Sequence, residues 1–83
     1  MSTKLFVGSL PWAVKDEELK ETFEKHGTVV SANVVTDRDT RRSRGFGFVE
    51  MENQDDAQNA IKALNESELN GRNIVVNIAK ARN

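Results

Sequence analysis

The segment RGFGFVEM, residues 44–51, decides the fold of this chain of 83 residues. From its second residue onward, the character of the side chains alternates with a period of two, which is the pattern of a β-strand. The alternation separates an aromatic set from an aliphatic set: Phe46, Phe48 and Glu50 on one side, and Gly47, Val49 and Met51 on the other. The strand is therefore predicted to present two phenyl rings on one face of a sheet. Its aliphatic set is predicted to face the core, where Gly47 leaves room for a helix close to the sheet.

Three further strands are predicted on either side of this segment. KLFVG at residues 4–8, TVVSANVV at residues 28–35 and RNIVVNIA at residues 72–79 are rich in β-forming residues. The polar stretch TDRDTRRSR at residues 36–44 joins the second strand to the third and is predicted to be a loop. We therefore expect four strands in all.

Two helices are predicted by apolar residues that recur on one helical face. Residues 16–26 carry Leu19 and Phe23 four positions apart, and residues 53–64 carry an apolar stripe. The stripe consists of Ala57, Ala60, Ile61 and Leu64. The order β-α-β-β-α-β predicts an α+β, ferredoxin-like fold, in which a four-stranded antiparallel sheet packs both helices on one face and leaves the other face to solvent.

Three phenylalanines are predicted to lie on the face opposite the helices. In the first strand, Leu5 and Val7 share the core face, which leaves Phe6 on the other face. Phe46 and Phe48 of the third strand point the same way as Phe6. Each ring left in water forgoes roughly 1.5–3 kcal/mol of burial, so a patch of three indicates a binding surface. The alternative is that the strand parity is reversed and that the rings belong to the core.

Flat rings beside cationic side chains suit a single-stranded nucleic acid. Bases stack on aromatic rings at roughly 1–3 kcal/mol for each base. Lys4 and Arg44 flank the predicted rings and supply positive charge for phosphates or bases. The pattern therefore favours a binding function over a catalytic one.

The net charge of −1 by itself argues against such a partner, since the chain has 12 basic and 13 acidic residues. The charge is unevenly distributed, however. Residues 15–26 and 52–64, the two helical stretches, carry a net −2 each, which leaves +3 for the strands and loops. This segregation permits a basic face on a nearly neutral domain.

The composition limits the remaining classes of function. The length suits one domain, predicted to span residues 1–83 with a core at about residues 4–80. The chain has no cysteine and one histidine, so we expect no catalytic residue, no metal site and no cofactor.

No apolar run is long enough to span a membrane, and the first residues lack the features of a signal peptide. We therefore expect a cytoplasmic protein, or a nuclear one if the source is eukaryotic.

Two motifs in this sequence resemble those of the RNA recognition motif family. The family's octamer, Arg/Lys-Gly-Phe/Tyr-Gly/Ala-Phe-Val-x-Phe/Tyr, is matched by RGFGFVEM at seven positions, with Met51 replacing the last aromatic residue. LFVGSL at residues 5–10 resembles the hexamer aliphatic-aromatic-aliphatic-x-Asn-Leu, with Ser9 replacing the asparagine. The resemblance covers essentially the whole chain. It extends to small single-motif proteins of bacteria, notably cyanobacteria, and to isolated domains of eukaryotic splicing or glycine-rich proteins.

The resemblance implies a role for each residue of the predicted face. Phe6 and Phe46 would each stack under a base, Phe48 would insert between sugars or pack on a ribose, and Arg44 would contact a phosphate or a base. Other RNA contacts are implied at the edge of the face, in the last strand and beyond it, and in the loop: Lys4, Asn77, Ala79, Lys80, Arg82, Arg38, Arg41 and Arg42. The loop arginines are equally consistent with a loop that is charged only for solubility.

These observations predict a monomer that binds single-stranded RNA in post-transcriptional regulation or RNA chaperoning, with single-stranded DNA as a second candidate ligand. One alternative is a protein-interaction module of the same fold, although such modules usually lose the aromatic residues of the octamer. A second alternative is an enzyme with this topology. The sequence shows no phosphate-binding loop, activated nucleophile or acid–base pair to support it, so we expect no enzymatic activity.

Overall fold

A computed structural model describes residues 2–11, 13–40 and 43–79, and it describes only the backbone of Ser43 and Arg44. The described residues form two helices and six strands: β1 Thr3–Gly8, α1 Asp16–Glu24, β2 Val29–Thr36, β3 Ser43–Met51, α2 Gln54–Leu64, β4 Glu68–Leu69, β5 Arg72–Asn73 and β6 Val75–Ile78. Strands β2-β3-β1-β6 form one antiparallel sheet in that order, and β4 and β5 form a separate two-stranded ribbon. The predicted α+β, ferredoxin-like fold is confirmed.

The hydrophobic core lies between the helices and one face of the sheet. Its fully buried members include four strand residues and four helix residues: Leu5, Val7, Val49, Met51, Leu19, Phe23, Ala57 and Ala60. A fully buried aliphatic or aromatic side chain of this kind stabilises the fold by about 1.5–3 kcal/mol relative to its exposed state. The alternating residues of β1 and β3 that were assigned to the core are therefore in it, and the alternative of reversed parity is excluded.

The ends of the helices are held by polar contacts. The Asn53 side chain caps α2, because its Oδ1 accepts hydrogen bonds from the backbone N–H of Asp55 at 2.8 Å and of Asp56 at 3.4 Å. At the start of α1, Asp16 Oδ1 accepts a hydrogen bond from the Val34 N–H at 2.7 Å. This contact ties α1 to the edge strand β2.

The last predicted strand, residues 72–79, is interrupted in the structure. Ile74 is buried, its N–H donates to the Ser67 carbonyl at 2.9 Å, and its carbonyl accepts from the Glu66 N–H at 2.8 Å. Ile74 therefore pairs with the chain before β4, and only the residues after it join the main sheet. The turn between β4 and β5 has positive φ at both Asn70 and Gly71, 51° and 86°, as a tight hairpin turn requires.

Gly47 packs closely against a neighbouring strand, whereas the sequence analysis predicts that a helix approaches it. It is buried and pairs with Val34 of β2. A Cβ atom on Gly47 would lie 2.5 Å from the carbonyl oxygen of Asn33 and 3.0 Å from Val34 Cα. The element that approaches this glycine is therefore the backbone of β2 and not a helix.

We expect Gly47→Ala to lower the free energy of unfolding by about 1–3 kcal/mol, because the backbone of a paired strand must shift to admit the methyl group. Gly8→Ala is the matched control, since a Cβ there meets only the outer ring atoms of Phe6, at 2.9 and 3.2 Å, and Val75 Cβ at 3.9 Å. Urea denaturation of both variants measures the difference. Equal losses in the two variants would contradict this account of Gly47.

Candidate functional site

The face of the sheet opposite the helices, called here the open face, is organised in three rows. Residues directly opposite each other on paired strands share a face, so the register of the sheet defines each row. From β6 to β2, the central row is Asn77, Phe6, Phe48 and Asn33, and the charged row beside it is Ala79, Lys4, Glu50 and Ser31. The third row, on the other side of the central row, is Val75, Gly8 and Phe46. The open face is thus aromatic at its centre and polar along one side.

The three phenyl rings of the open face form one cluster. The centroid of Phe6 lies 5.8 Å from that of Phe46, with an angle of 29° between the planes, so these rings are nearly parallel. Phe48 meets both edge-on, at 5.9 Å and 67° from Phe6 and at 6.2 Å and 88° from Phe46. All three side chains are half-buried. The mutual contacts, worth about 0.5–1.5 kcal/mol for each pair beyond the buried area, orient the rings without covering them.

Gly8 shapes the space beside these rings, and the sequence analysis did not single it out. Gly8 lies two residues after Phe6 on the same face and opposite Phe46. A side chain at this position would collide with the Phe6 ring, as the short Cβ distances show. The sequence did contain a signal for this role, since the alternation of β1 puts Gly8, which has no side chain, on the same face as the exposed Phe6 ring.

The charged row adds a cation and an anion to the open face. Lys4 Nζ lies 5.4 Å from the centroid of the Phe48 ring, within the range of a cation–π contact. Glu50 stands opposite Lys4 in register and is half-buried, and the Ser2 hydroxyl donates a hydrogen bond to its carboxylate. The row is therefore nearly neutral, which accords with the small net charge of the chain.

The structure places several of the predicted site residues together on the open face: Lys4, Phe6, Phe46, Phe48, Asn77 and Ala79. The structure describes the backbone of Arg44, which belongs to β3, but it does not describe the Arg44 side chain. Four further predicted contacts lie outside the described residues: Arg41, Arg42, Lys80 and Arg82. Two polar residues of β2 also face the site, Ser31 and Asn33, and the sequence analysis missed both.

A shallow cleft lies elsewhere, between the start of α1 and β2, with a volume of about 530 Å³. Its lining consists of Val14, Lys15, Asp16, Glu17, Val34 and Thr36.

Over the ranges 2–11, 13–40 and 43–79, no cluster of three or more histidine, aspartate or glutamate residues could hold a metal ion. In the same ranges, no helix has the length and apolarity needed to cross a membrane.

Comparison with protein families gives a match to the model described as RNA recognition motif, over residues 5–75. Among curated proteins, glycine-rich RNA-binding protein 4, mitochondrial, of Arabidopsis thaliana is 54% identical over 82 residues, which cover 99% of this chain and 60% of that protein. The chain spans 60% or less of the length of the first plant relatives it matches. The sequence analysis noted a likeness to small bacterial proteins, whereas these relatives come from plants.

Solved structures give the same fold. The crystal structure of RNA binding protein PG1 superposes with a TM-score of 0.92 at 46% identity, and the match covers 98% of each chain. A structure described as a Sxl-lethal protein/RNA complex gives a TM-score of 0.88 at 37% identity and covers 93% of this chain and 47% of that one. The arrangement of two helices on one face of four strands is thus shared with proteins of known structure.

The expectation of a cytoplasmic protein is wrong by these comparisons. The Arabidopsis relative is mitochondrial, and other plant relatives are chloroplastic. The expectation rested on the absence of an apolar span and of the features of a secretory signal. A small cysteine-free domain folds alike in any aqueous compartment, so these observations could not distinguish the cytoplasm from an organelle.

Proposed function

The chain belongs to the RNA recognition motif family, and from this premise we propose that it binds single-stranded RNA on the open face. The observation that carries the proposal is the cluster of Phe6, Phe46 and Phe48, three half-buried rings opposite the helices. Rings kept partly in water stabilise a domain less than fully buried rings do, so a patch of three is best explained by a binding partner. Aromatic faces of this kind stack bases of any sequence.

The proposed roles follow from the orientation of the rings. Phe6 and Phe46 are nearly parallel, so each supports one base, and successive bases of one strand can occupy both. Phe48 stands edge-on to both rings and packs against a ribose between the two bases. Lys4, held over the Phe48 ring, contacts the backbone of the same nucleotides.

The proposed contacts continue along the sheet and into the flanking segments. Asn77 of β6 and Ala79, directly after that strand, extend the rows, and the amide side chain and the backbone groups there reach base edges. We assign phosphate or base contacts to five further basic residues: Arg44, Arg41, Arg42, Lys80 and Arg82. These positions flank the aromatic cluster along the chain.

The family consists of RNA-binding domains that are generally not enzymes. For this chain we propose one non-catalytic domain over residues 1–83 that acts as a monomer in post-transcriptional regulation or as an RNA chaperone. Single-stranded DNA is expected to bind as well, because stacking does not read the 2′-hydroxyl group.

Fluorescence anisotropy with a labelled, random-sequence, single-stranded RNA tests the proposal directly. Unlabelled single-stranded RNA is expected to compete fully, and an RNA duplex of the same length is expected to compete weakly, since its bases are already stacked on each other. If no member of the single-stranded pool binds, the proposal fails, and a protein partner becomes the better explanation of the exposed rings.

We also expect the affinity for RNA to depend only weakly on salt. Each neutralised phosphate of a single strand contributes about −0.7 to the slope of log K against log[salt], and a face of this size neutralises roughly two to four phosphates, so the slope is expected between about −1.4 and −2.8. Titrations at several salt concentrations between about 50 and 200 mM, the usual range for such slopes, measure it. A slope steeper than about −5, as large basic proteins give, would contradict the dominance of stacking.

A further inference from the structure

Glu50 is an acidic residue within the proposed binding surface, and the stacking model gives it no role. It belongs to β3, which lies between β2 and β1 in the sheet, so its side chain has a paired strand on either side. Its neighbours across the two strand pairs are Lys4 and Ser31. A carboxylate here repels the phosphates of a bound strand. The presence of a carboxylate that repels phosphates is best explained if it accepts hydrogen bonds from the ligand and if its negative charge strengthens them.

The surroundings of Glu50 leave its carboxylate able to accept further hydrogen bonds. The Ser2 hydroxyl donates to one carboxylate oxygen. The ammonium group of Lys4, which stands opposite Glu50 in register, is directed over the Phe48 ring at 5.4 Å from its centroid. An ionised carboxylate has about four lone-pair sites on its two oxygens, so the bond from Ser2 occupies only a part of its capacity.

Glu50 also lies within reach of a base that is stacked on Phe6. Phe6 pairs with Phe48 and Lys4 pairs with Glu50, so Phe6 and Glu50 are diagonal neighbours across β1 and β3. Diagonal neighbours of an antiparallel pair are about 7–8 Å apart. A purine that lies flat on the Phe6 ring extends toward the charged row, where its hydrogen-bonding edge meets the carboxylate.

The chemistry of the carboxylate selects among the bases. Guanine presents two adjacent donors, N1–H and the 2-amino group, on its Watson–Crick edge, and the two oxygens of a carboxylate match them. Adenine and cytosine present an amino donor beside a ring-nitrogen acceptor, and uracil presents one donor between two carbonyl acceptors. An acceptor-only group therefore meets a repulsive neighbour on every base except guanine.

We infer that Glu50 selects guanine over the other bases at the nucleotide stacked on Phe6. This inference depends on the proposed RNA-binding function and adds a base preference to it. The selectivity is expected to come from the paired donors of guanine, and not from stronger stacking, because adenine offers a purine surface of similar size.

The test uses fluorescence anisotropy with labelled heptanucleotides of uridine that carry guanosine, adenosine or inosine at the centre. Inosine keeps the ring and N1–H of guanosine and lacks only the 2-amino group. The wild type is expected to bind the guanosine oligomer at least about fivefold more tightly than the adenosine oligomer, the lower end of discrimination by a bidentate contact, with inosine between them. Glu50→Gln, which keeps the size of the side chain, is expected to bring the guanosine-to-adenosine ratio below about twofold.

Glu21→Gln is the matched control, because it removes the same charge from an exposed position of α1 on the other side of the sheet. Its selectivity is expected to equal that of the wild type. Three outcomes would overturn the inference. If Glu50→Gln strengthens binding to every oligomer and keeps the selectivity, Glu50 acts only by repelling phosphates. If the wild type binds all the oligomers equally, no base is selected by Glu50, and if it binds none of them, the proposed RNA-binding function fails as well.

Discussion

Replacing Phe46 and Phe48 together by alanine is expected to weaken the binding of single-stranded RNA at least about tenfold, which corresponds to ~1.4 kcal/mol. The double substitution removes one stacking platform and the proposed ribose contact, and each stacked base is worth roughly 1–3 kcal/mol. Both rings are half-buried on the open face, so the fold is expected to persist. Anisotropy titrations measure the affinity, and circular dichroism shows whether the variant is folded.

The control for this experiment is the double substitution of both phenylalanines by leucine. Leucine keeps most of the apolar volume of the open face and lacks a flat π-surface, so it separates base stacking from general apolar contact. We expect the leucine variant to lose most of the affinity that the alanine variant loses. A folded alanine variant with the affinity of the wild type would show that RNA does not stack on this cluster.

The sequence was sufficient to predict on which face the three rings lie, because period-two alternation is unbroken in the two strands that carry them. In β1, Leu5 and Val7 had to share a face, which placed Phe6 on the other, and the structure has all three as predicted. The same logic holds for the aromatic and aliphatic sets of β3. Alternation identifies a face only as long as each residue advances the strand by one step, and these two strands pair in a regular register over Thr3–Gly8.

The contribution of β2 to the site could not be predicted in this way. Its register against β3 shifts between Val29 and Ser31 and again between Val34 and Thr36. A bulge inserts an extra residue and reverses the parity of everything after it, so a count along TVVSANVV gives the wrong face for part of the strand. Val30, at the first shift, is 55% exposed despite its strong β-propensity. For this reason Ser31 and Asn33 emerged as neighbours of the rings only from the structure.

The short ribbon of β4 and β5 was missed for a different reason. Two-residue strands carry no periodicity, and the β-branched residues after Arg72 read as one continuous strand. The division of that run at Ile74 depends on hydrogen bonds to Ser67 and Glu66, which are polar residues without a strand signal. Backbone pairing of this kind leaves almost no trace in a sequence, because any non-proline residue offers the same N–H and carbonyl groups.

Phe23→Ala is expected to lower the free energy of unfolding by about 3–5 kcal/mol, a large share of the ~5–15 kcal/mol that stabilises a typical domain. Phe23 is fully buried in the core between α1 and the sheet, so its loss removes apolar burial and leaves a cavity. A domain of this size is expected to lose at least about 12 °C in Tm. Urea and thermal denaturation measure both quantities, and Phe23→Leu provides a milder variant if the alanine variant does not fold.

The same substitution at Phe6 is expected to give the opposite pair of results. Phe6→Ala removes a half-buried ring from the open face, so it should cost about 1 kcal/mol of stability or less while RNA affinity falls about fivefold or more. Phe23→Leu, measured at a temperature where it is fully folded, should bind RNA within about twofold of the wild type, because its side chain lies on the helix side of the sheet. If both positions affect stability and affinity in equal proportion, the division of the sheet into a core face and a binding face is wrong. If Phe23 affects stability and Phe6 mainly affects RNA affinity, the alternation of side chains between the two faces of the sheet accounts for both the stability of the domain and its affinity for RNA.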